Sequence, residues 1–322
     1  MSNDTLHRTN MIGIACASAA AVAFSFNDMA IKFLSTGYPL HQVVLIRSCI
    51  GMVLLLSIIV PLTGGLQVLR TSRLGMHLLR GFCVVFANMT FFLGLASLPL
   101  ADAMAIFFVS PLVITSFSVL FLGETVGPRR WAAVGLGMVG VLIVMRPGSG
   151  AFQIASLMPL LAAVSYALLH IMTRKIGGTE KAVTMTFYIL VVFIFTSSVI
   201  GLALGDGRFA GHAHPSVEFL LRAWVWPARE DLGVFLIVGI ASTMGGYLIS
   251  QAYRLCEAGL AAPFEYLALP MAIFWGVVVF GEWPILSSWI GIGLIMAGGL
   301  YMFLRETRSQ NTLASQAPPK RR

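Results

Sequence analysis

Five ionisable side chains, Asp28, Lys32, Arg47, Arg80 and Glu265, fall inside long apolar runs of the sequence. A charge at the centre of a membrane helix costs roughly 2.5 to 3.5 kcal/mol on insertion scales, so each of them needs an opposite charge or an aqueous cavity. Asp28 lies near the far end of the first run and Arg47 about two turns into the second from that same side, a matched depth that suits an ion pair. Arg80 and Glu265, each about one turn from the opposite ends of their runs, suit another. Such pairs could close the two sides of one central cavity in turn, contact a bound molecule, or brace the fold. Asn88, Tyr166, His170, Tyr247, Gln251 and Tyr266 stand further inside their runs and offer hydrogen bonds and aromatic faces to a polar organic molecule. Hydrogen bonding between helices explains each of these singly just as well. Asp28 or Glu265 could instead carry a proton.

The elements that must position these residues are membrane helices. Of the 322 residues, 58% are hydrophobic and 11% charged, and the mean hydropathy is +0.88. That composition excludes a soluble enzyme core, a disordered chain and a DNA-binding domain. A helix needs about 20 residues to cross a bilayer, and that ruler marks ten spans: 11 to 33, 41 to 61, 76 to 97, 101 to 122, 130 to 146, 152 to 174, 182 to 204, 232 to 253, 260 to 281 and 285 to 304. Residues 1 to 10 form an N-terminal tail, and residues 305 to 322 read as a polar, disordered one. The long connection 205 to 231, with Trp224 and Trp226, suits the membrane interface.

The basic residues report orientation rather than nucleic-acid binding. With the N-terminus in the cytoplasm, the connections on that side hold Arg8, Arg70, Arg73, Arg129, Arg130, Arg174, Lys175, Lys181, Arg254, Arg305, Arg308, Lys320, Arg321 and Arg322. The other side holds Arg146, Arg208, Arg222 and Arg229. Positive charge concentrates on the cytoplasmic face of inner-membrane proteins, so both termini are expected there.

The second half echoes the first. Gly123-Glu124, Trp131, Gly135 and Gly140 recur as Gly281-Glu282, Trp289, Gly293 and Gly298, and Pro111 in the fourth span recurs as Pro270 in the ninth. Ala23, Ser25 and Phe26 match Ala163, Ser165 and Tyr166. Two units are therefore expected, 11 to 146 and 152 to 304. Five spans each, an odd number, turn the second copy upside down. The charges agree: Arg129 and Arg130 follow the first Gly-Glu, whereas no positive residue follows the second before Trp289. Inverted repeats place a solute site near the midplane between the halves. Pro111 and Pro270, each midway along a span, are candidate helix hinges.

These residues resemble a family. The five-plus-five arrangement, Asn27-Asp28-x-x-x-Lys32, Arg47, Leu79-Arg80-Gly81, Ser110-Pro111 and the Gly-Glu elements are similar to EamA-type members of the drug/metabolite transporter superfamily, over residues 11 to 304. The first-half motifs and Ala262-Pro263-Phe264-Glu265-Tyr266 look most like bacterial uptake carriers of the S-adenosylmethionine type, whose pattern has Arg where this chain has Glu265. Riboflavin importers and amino-acid or metabolite exporters share much of it. The resemblance implies an all-α membrane carrier of the bacterial inner membrane that moves a small polar metabolite by alternating access.

Other chemistries find little support. Cys16, Cys49, Cys83 and Cys256 form no C-x-x-C pair, and His212-x-His214 stands without further clustered ligands, so no disulfide framework or metal is expected. Gly135-Leu136-Gly137-Met138-Val139-Gly140 matches a dinucleotide fingerprint in letters, but it lies inside a span and reads as a packing face. No nucleotide-binding loop, cofactor site or catalytic constellation is evident, which leaves an intramembrane enzyme and a channel as remote alternatives. The expected partners are a small-molecule solute and the lipid bilayer, with no nucleic acid. Gly291, Gly293, Gly298 and Gly299 would permit tight packing of the tenth span, within the chain or across a homodimer.

Overall fold

A computed structural model describes residues 3–122, 127–147, 153–176, 180–255 and 264–316. Gly123, Glu124, Cys256, Ala262, Pro263, Lys320, Arg321 and Arg322, named above, lie outside the described residues. Every regular element among the described residues is helical: α1 (Asn3–Leu34), α2 (Leu40–Leu54), α3 (Val60–Thr63), α4 (Leu74–Leu95), α5 (Leu100–Phe107), α6 (Ser110–Leu122), α7 (Pro128–Met145), α8 (Leu157–Ile176), α9 (Ala182–Leu204), α10 (Pro215–Leu221), α11 (Leu232–Leu255), α12 (Ala268–Phe280) and α13 (Leu286–Gln316), with short π and 3₁₀ turns between some of them.

Seven stretches among the described residues are helical, long and apolar enough to cross a membrane: Met11–Leu34, Leu40–Thr63, Leu74–Leu95, Leu100–Phe121, Ile154–Thr173, Ala182–Leu204 and Arg229–Ala252. Three of the ten expected spans appear as shorter apolar helices, Trp131–Met145, Ala268–Phe280 and Leu286–Tyr301. At 1.5 Å per residue, the 13 residues of α12 rise only about 20 Å. At the ends, helix begins at Asn3 and runs past Arg305 to Gln316. Extending an existing helix needs no new nucleus, so it can outrun its apolar run.

The neighbours are reciprocal. α1 packs on α11 and α12, while α8 packs on α4 and on α5 and α6; α2 meets α11 and α9, and α9 meets α4 and α2; α7 lies along α13. Exchanging α1, α2, α4, α5–α6 and α7 for α8, α9, α11, α12 and α13 reproduces this pattern of neighbours.

Close approach rather than an apolar driving force holds helices together in lipid. At the α7–α13 contact a Cβ on Gly140 would meet the Gly291 carbonyl oxygen at 2.8 Å, and one on Gly291 would meet that of Gly140 at 2.7 Å. A Cβ on Gly298 would press on the Ala133 carbonyl, and one on Gly299 on Tyr266, whereas Gly293 faces open space. Three of the four glycines are thus used within the chain. Leu62, Leu202, Val278 and Phe195 turn outward, as a lipid-facing surface requires, and exposed Trp226, Trp283 and Trp289 cluster near one end.

That end, called here the sealed end, carries the 205–231 connection as a structured cap. Phe219 of α10 is buried, Ser216 donates to the Leu93 carbonyl at 2.5 Å, and Ser216 and Ser97 share a 2.7 Å bond. Gln42 exchanges two hydrogen bonds with the backbone of Val225. Tyr38 donates to Asp231 at 2.6 Å and accepts from Ala228, and Trp224 stacks on His41. At the tip, Glu218 accepts the N–H groups of Gly211 and His212 at 2.9 Å each, and these two donors, His212 foremost, hold its carboxyl below the ordinary value.

Candidate functional site

The expected fourth and ninth spans are both interrupted. The first breaks at Phe108–Val109 between α5 and α6, and the other turns at Tyr266–Leu267 before α12. Pro111 and Pro270 therefore do not sit midway along continuous helices, as the sequence suggests. Each stands in the first turn after a break, where the missing N–H costs no helical bond. The broken points meet, with the rings of Phe108 and Tyr266 5.2 Å apart.

Beside this junction lies a cavity of about 230 Å³ between the two halves. Of the eleven side chains singled out above, Asp28, Arg47, Arg80, Asn88, Tyr166, His170 and Glu265 line it, and Lys32 does not. Tyr247, Gln251 and Tyr266 are not among its walls. Gln251 donates to Tyr247 at 2.9 Å, Tyr247 packs on the Leu55–Val183–Leu190 cluster, and Tyr266 is buried under Gly299 with its hydroxyl lacking a partner.

The charged side chains differ from the expected pairing. Arg47 is bonded to amides: Nη1 donates to Asn27 Oδ1 at 3.2 Å and Nη2 to Asn88 Oδ1 at 2.6 Å. Asn27 in turn donates to Asp28 Oδ1 at 2.9 Å, so the carboxylate reaches the guanidinium through an amide. The cation also lies over Phe193 and Phe92, at 4.9 and 5.8 Å from the ring centroids. α1, α2 and α4 are tied together at this level.

Arg80 points to other partners than Glu265. Its Nε donates to Thr173 Oγ1 at 3.0 Å, and Thr173 donates onward to the Leu169 carbonyl at 2.7 Å. Glu180 attracts it from behind while accepting from Thr71 at 2.9 Å and lying 3.3 Å from His77 Nε2. Glu265 instead meets the Tyr166 hydroxyl, and Tyr166 packs edge-on against His170 with 4.4 Å between centroids.

Several wall residues escape sequence reasoning. Phe24, Phe91, Phe92, Phe107, Phe108 and Phe193 form aromatic walls, and Asn27, Ser48, Thr173, Thr186, Ser242 and Ser250 add small polar groups. Phenylalanine is common throughout the chain, with 22 copies, so nothing in composition marks six of them as lining a cavity.

Lys32, the intramembrane charge of the Asn27-Asp28-x-x-x-Lys32 stretch, secures the sealed end. Its Nζ lies 2.6 and 2.8 Å from the two carboxylate oxygens of Glu282 and 2.8 Å from the Leu98 carbonyl. Glu282 Oε2 also accepts the Leu100 N–H at 3.0 Å, at the first turn of α5. The turn that delivers Glu282 uses Gly281 at φ +67°, a left-handed conformation that glycine adopts without steric cost. The latch joins α1, the α4–α5 connection and the α12–α13 connection. Among the described residues no group of three or more His, Cys, Asp or Glu is placed to hold a metal ion.

Comparison with known proteins gives this architecture a family. The sequence model of the EamA-like transporter family matches residues 11–146 and 153–304. A riboflavin transporter of Rhizobium johnstonii is 31% identical over 246 residues, 76% of each chain. An S-adenosylmethionine uptake transporter of Rickettsia bellii is 28% identical over 309 residues, 96% of this chain and 99% of that one. A solved crystal structure superposes with a TM-score of 0.63 at 19% identity, covering 95% of this chain and 99% of its own, which shows the shared fold. With its seven membrane-capable helices and a family match over most of its length, this multi-pass membrane chain belongs to the EamA-like transporter family.

Proposed function

We propose that the chain is a secondary carrier that takes up a small polar metabolite, S-adenosylmethionine or a molecule like it, across a bacterial inner membrane. The observation that carries this reading is the cavity between the halves, walled by Asp28, Arg47, Arg80 and Glu265 and by six phenylalanines. Buried charge beside aromatic faces suits a solute with a flat ring and polar or charged substituents. The S-adenosylmethionine uptake transporter that matches nearly end to end supports it. Riboflavin, also a flat ring with a polar chain, is the alternative that the 31% identical relative supports.

The reciprocal helix neighbours and the two family matches support two five-span halves related by inversion. Basic residues favour a cytoplasmic location for both termini, which makes the sealed end the outer one. In this reading the Lys32–Glu282 latch and the 205–231 cap close the outer side, and Asn88, Tyr166 and His170 contact solute from the walls. Transport alternates as the latch opens and the broken helices at Phe108 and Tyr266 bend. The chain works as a carrier and not an enzyme, driven by an ion gradient, exchange or the solute gradient. Tyr247, Gln251 and Tyr266 then act as packing groups around the cavity, and the α7–α13 glycines serve the monomer whether or not a homodimer forms.

Counterflow in proteoliposomes with labelled S-adenosylmethionine, riboflavin and pooled amino acids tests the proposal. Saturable exchange of S-adenosylmethionine supports it, exchange of riboflavin alone selects the alternative, and unsaturable flux or a chemically altered product overturns the carrier.

A further inference from the structure

Among the described residues neither Arg80 nor Asp28 is joined to an opposite charge in a direct ion pair, and the two stand at different depths of the cavity. Arg80 is buried, at 3% exposure, and receives one hydrogen-bonded partner, Thr173 on Nε. Among the described residues its Nη1 is buried without a hydrogen-bond partner. Glu180 helps hold the cation but spends its carboxylate on Thr71 and His77. Asp28, 8% exposed, accepts one bond from Asn27 and meets Arg47 only through that amide. Arg47, by contrast, has both Nη atoms engaged and two rings against its face. The two cavity arginines thus divide their work, Arg47 as a brace and Arg80 as a donor with capacity to spare.

A guanidinium N–H buried without an acceptor carries its desolvation penalty uncompensated, a cost that a bound acceptor would cancel. An arginine fork matches a carboxylate in plane and spacing, and charge-assisted bonds of this kind are about twice as strong as neutral ones. Eight residues of α4 separate Arg80 from Asn88, a rise of roughly 12 Å, and Asn88 is joined through Arg47 and Asn27 to the level of Asp28. Phe91, Phe92, Phe107 and Tyr166 also line the cavity.

We infer that Arg80 receives the carboxylate of a zwitterionic solute and Asp28 its cationic end, with the aromatic walls taking a ring. This rests on the carrier reading above and deepens it to a substrate class. The four charged wall residues sum formally to zero, so a carboxylate on Arg80 and a cation at Asp28 compensate one another, the second cation of S-adenosylmethionine lying against the aromatic faces, whereas a dianionic phosphate would add two uncompensated charges in a medium that penalises them. Riboflavin has no carboxylate to offer Arg80.

The test uses the full-length protein in proteoliposomes and three probes: S-adenosylmethionine, its decarboxylated analogue and riboflavin. Wild type is expected to exchange S-adenosylmethionine at least ten-fold better than the decarboxylated analogue. Arg80→Gln should bring that ratio near one, and Arg80→Lys, which keeps the charge but not the fork, should hold it in between. Ligand-induced thermal stabilisation of the detergent-purified variants gives the same ratio independently of transport and shows that they fold. A ratio that survives Arg80→Gln, an equal fall for both ligands, or wild-type exchange confined to riboflavin overturns the assignment of Arg80 while leaving a carrier. Absence of saturable exchange for all three probes overturns the carrier reading and the zwitterion site with it.

Discussion

The rings of Phe108 and Tyr266, 158 residues apart in sequence, meet at 5.2 Å with a 32° tilt where both interrupted helices break. The contact ties the irregular backbone of one half to that of the other beside the cavity, where non-helical backbone can exist at membrane depth.

Removing the Phe108 ring should therefore be costly, and removing the Tyr266 hydroxyl should not. Phe108 is buried, so Phe108→Ala leaves a void with an expected cost on the order of 3 kcal/mol. The hydroxyl of Tyr266 has no partner, so Tyr266→Phe is expected to be neutral or slightly stabilising. Melting curves of the two detergent-purified variants check the contrast, and comparable losses would argue against it.

The Lys32–Glu282 latch predicts asymmetric double-mutant behaviour. With side chains 10% and 28% exposed, either single change, Lys32→Met or Glu282→Gln, leaves a charge short of its partner and should cost about 2 kcal/mol. The double variant Lys32→Met with Glu282→Met should recover part of that. Opening of this end is read by labelling Leu98→Cys with a membrane-impermeant maleimide, which should react faster in the single variants than in the parent.

Arg47 is expected to behave as a brace. Asn88→Ala strips the acceptor from Nη2, with a cost of about 2 kcal/mol and loss of exchange for every solute alike. Arg47→Lys cannot span Asn27 and Asn88 together and should lose stability too. If either variant melts like the parent while changing solute preference, Arg47 touches solute instead.

Acid should loosen the cap. The carboxyl of Glu218 is held below its ordinary value of 4.5 by the His212 and Gly211 N–H groups and, less, by Arg222. A lowered pKa means the charged form is favoured in the folded state. This contribution is complete above the ordinary glutamate range and disappears as pH falls through the lowered value. Amide exchange at Gly211 and His212, corrected for its intrinsic pH dependence, should lose protection in that acidic window, and Glu218→Gln should abolish the change.

Much of the fold was legible because membrane insertion writes itself in long apolar runs, and the interruptions at Pro111 and Pro270 were visible as residues that no helix interior welcomes. Their position one turn after a break was not, since sequence shows a missing N–H but not where the chain has already turned. Among the site residues, Asp28, Arg47 and Arg80 stood out as ionisable groups in apolar surroundings. Their partners did not, because Asn27, Thr173 and Glu180 become neighbours through helix rotation, which a depth argument along one axis leaves open. Asn88 and Tyr247 show the same limit: both stand well inside apolar runs, yet one lines the cavity and the other packs outside it.

The claim that solute binds inside the cavity is tested most directly by protection of one wall residue. In a cysteine-free background, Ala87→Cys places a thiol on the cavity wall and His212→Cys places one on the exposed cap. Saturating S-adenosylmethionine should slow maleimide labelling at position 87 by at least five-fold and leave position 212 unchanged. Equal labelling at position 87 with and without every solute that the protein exchanges would contradict the account.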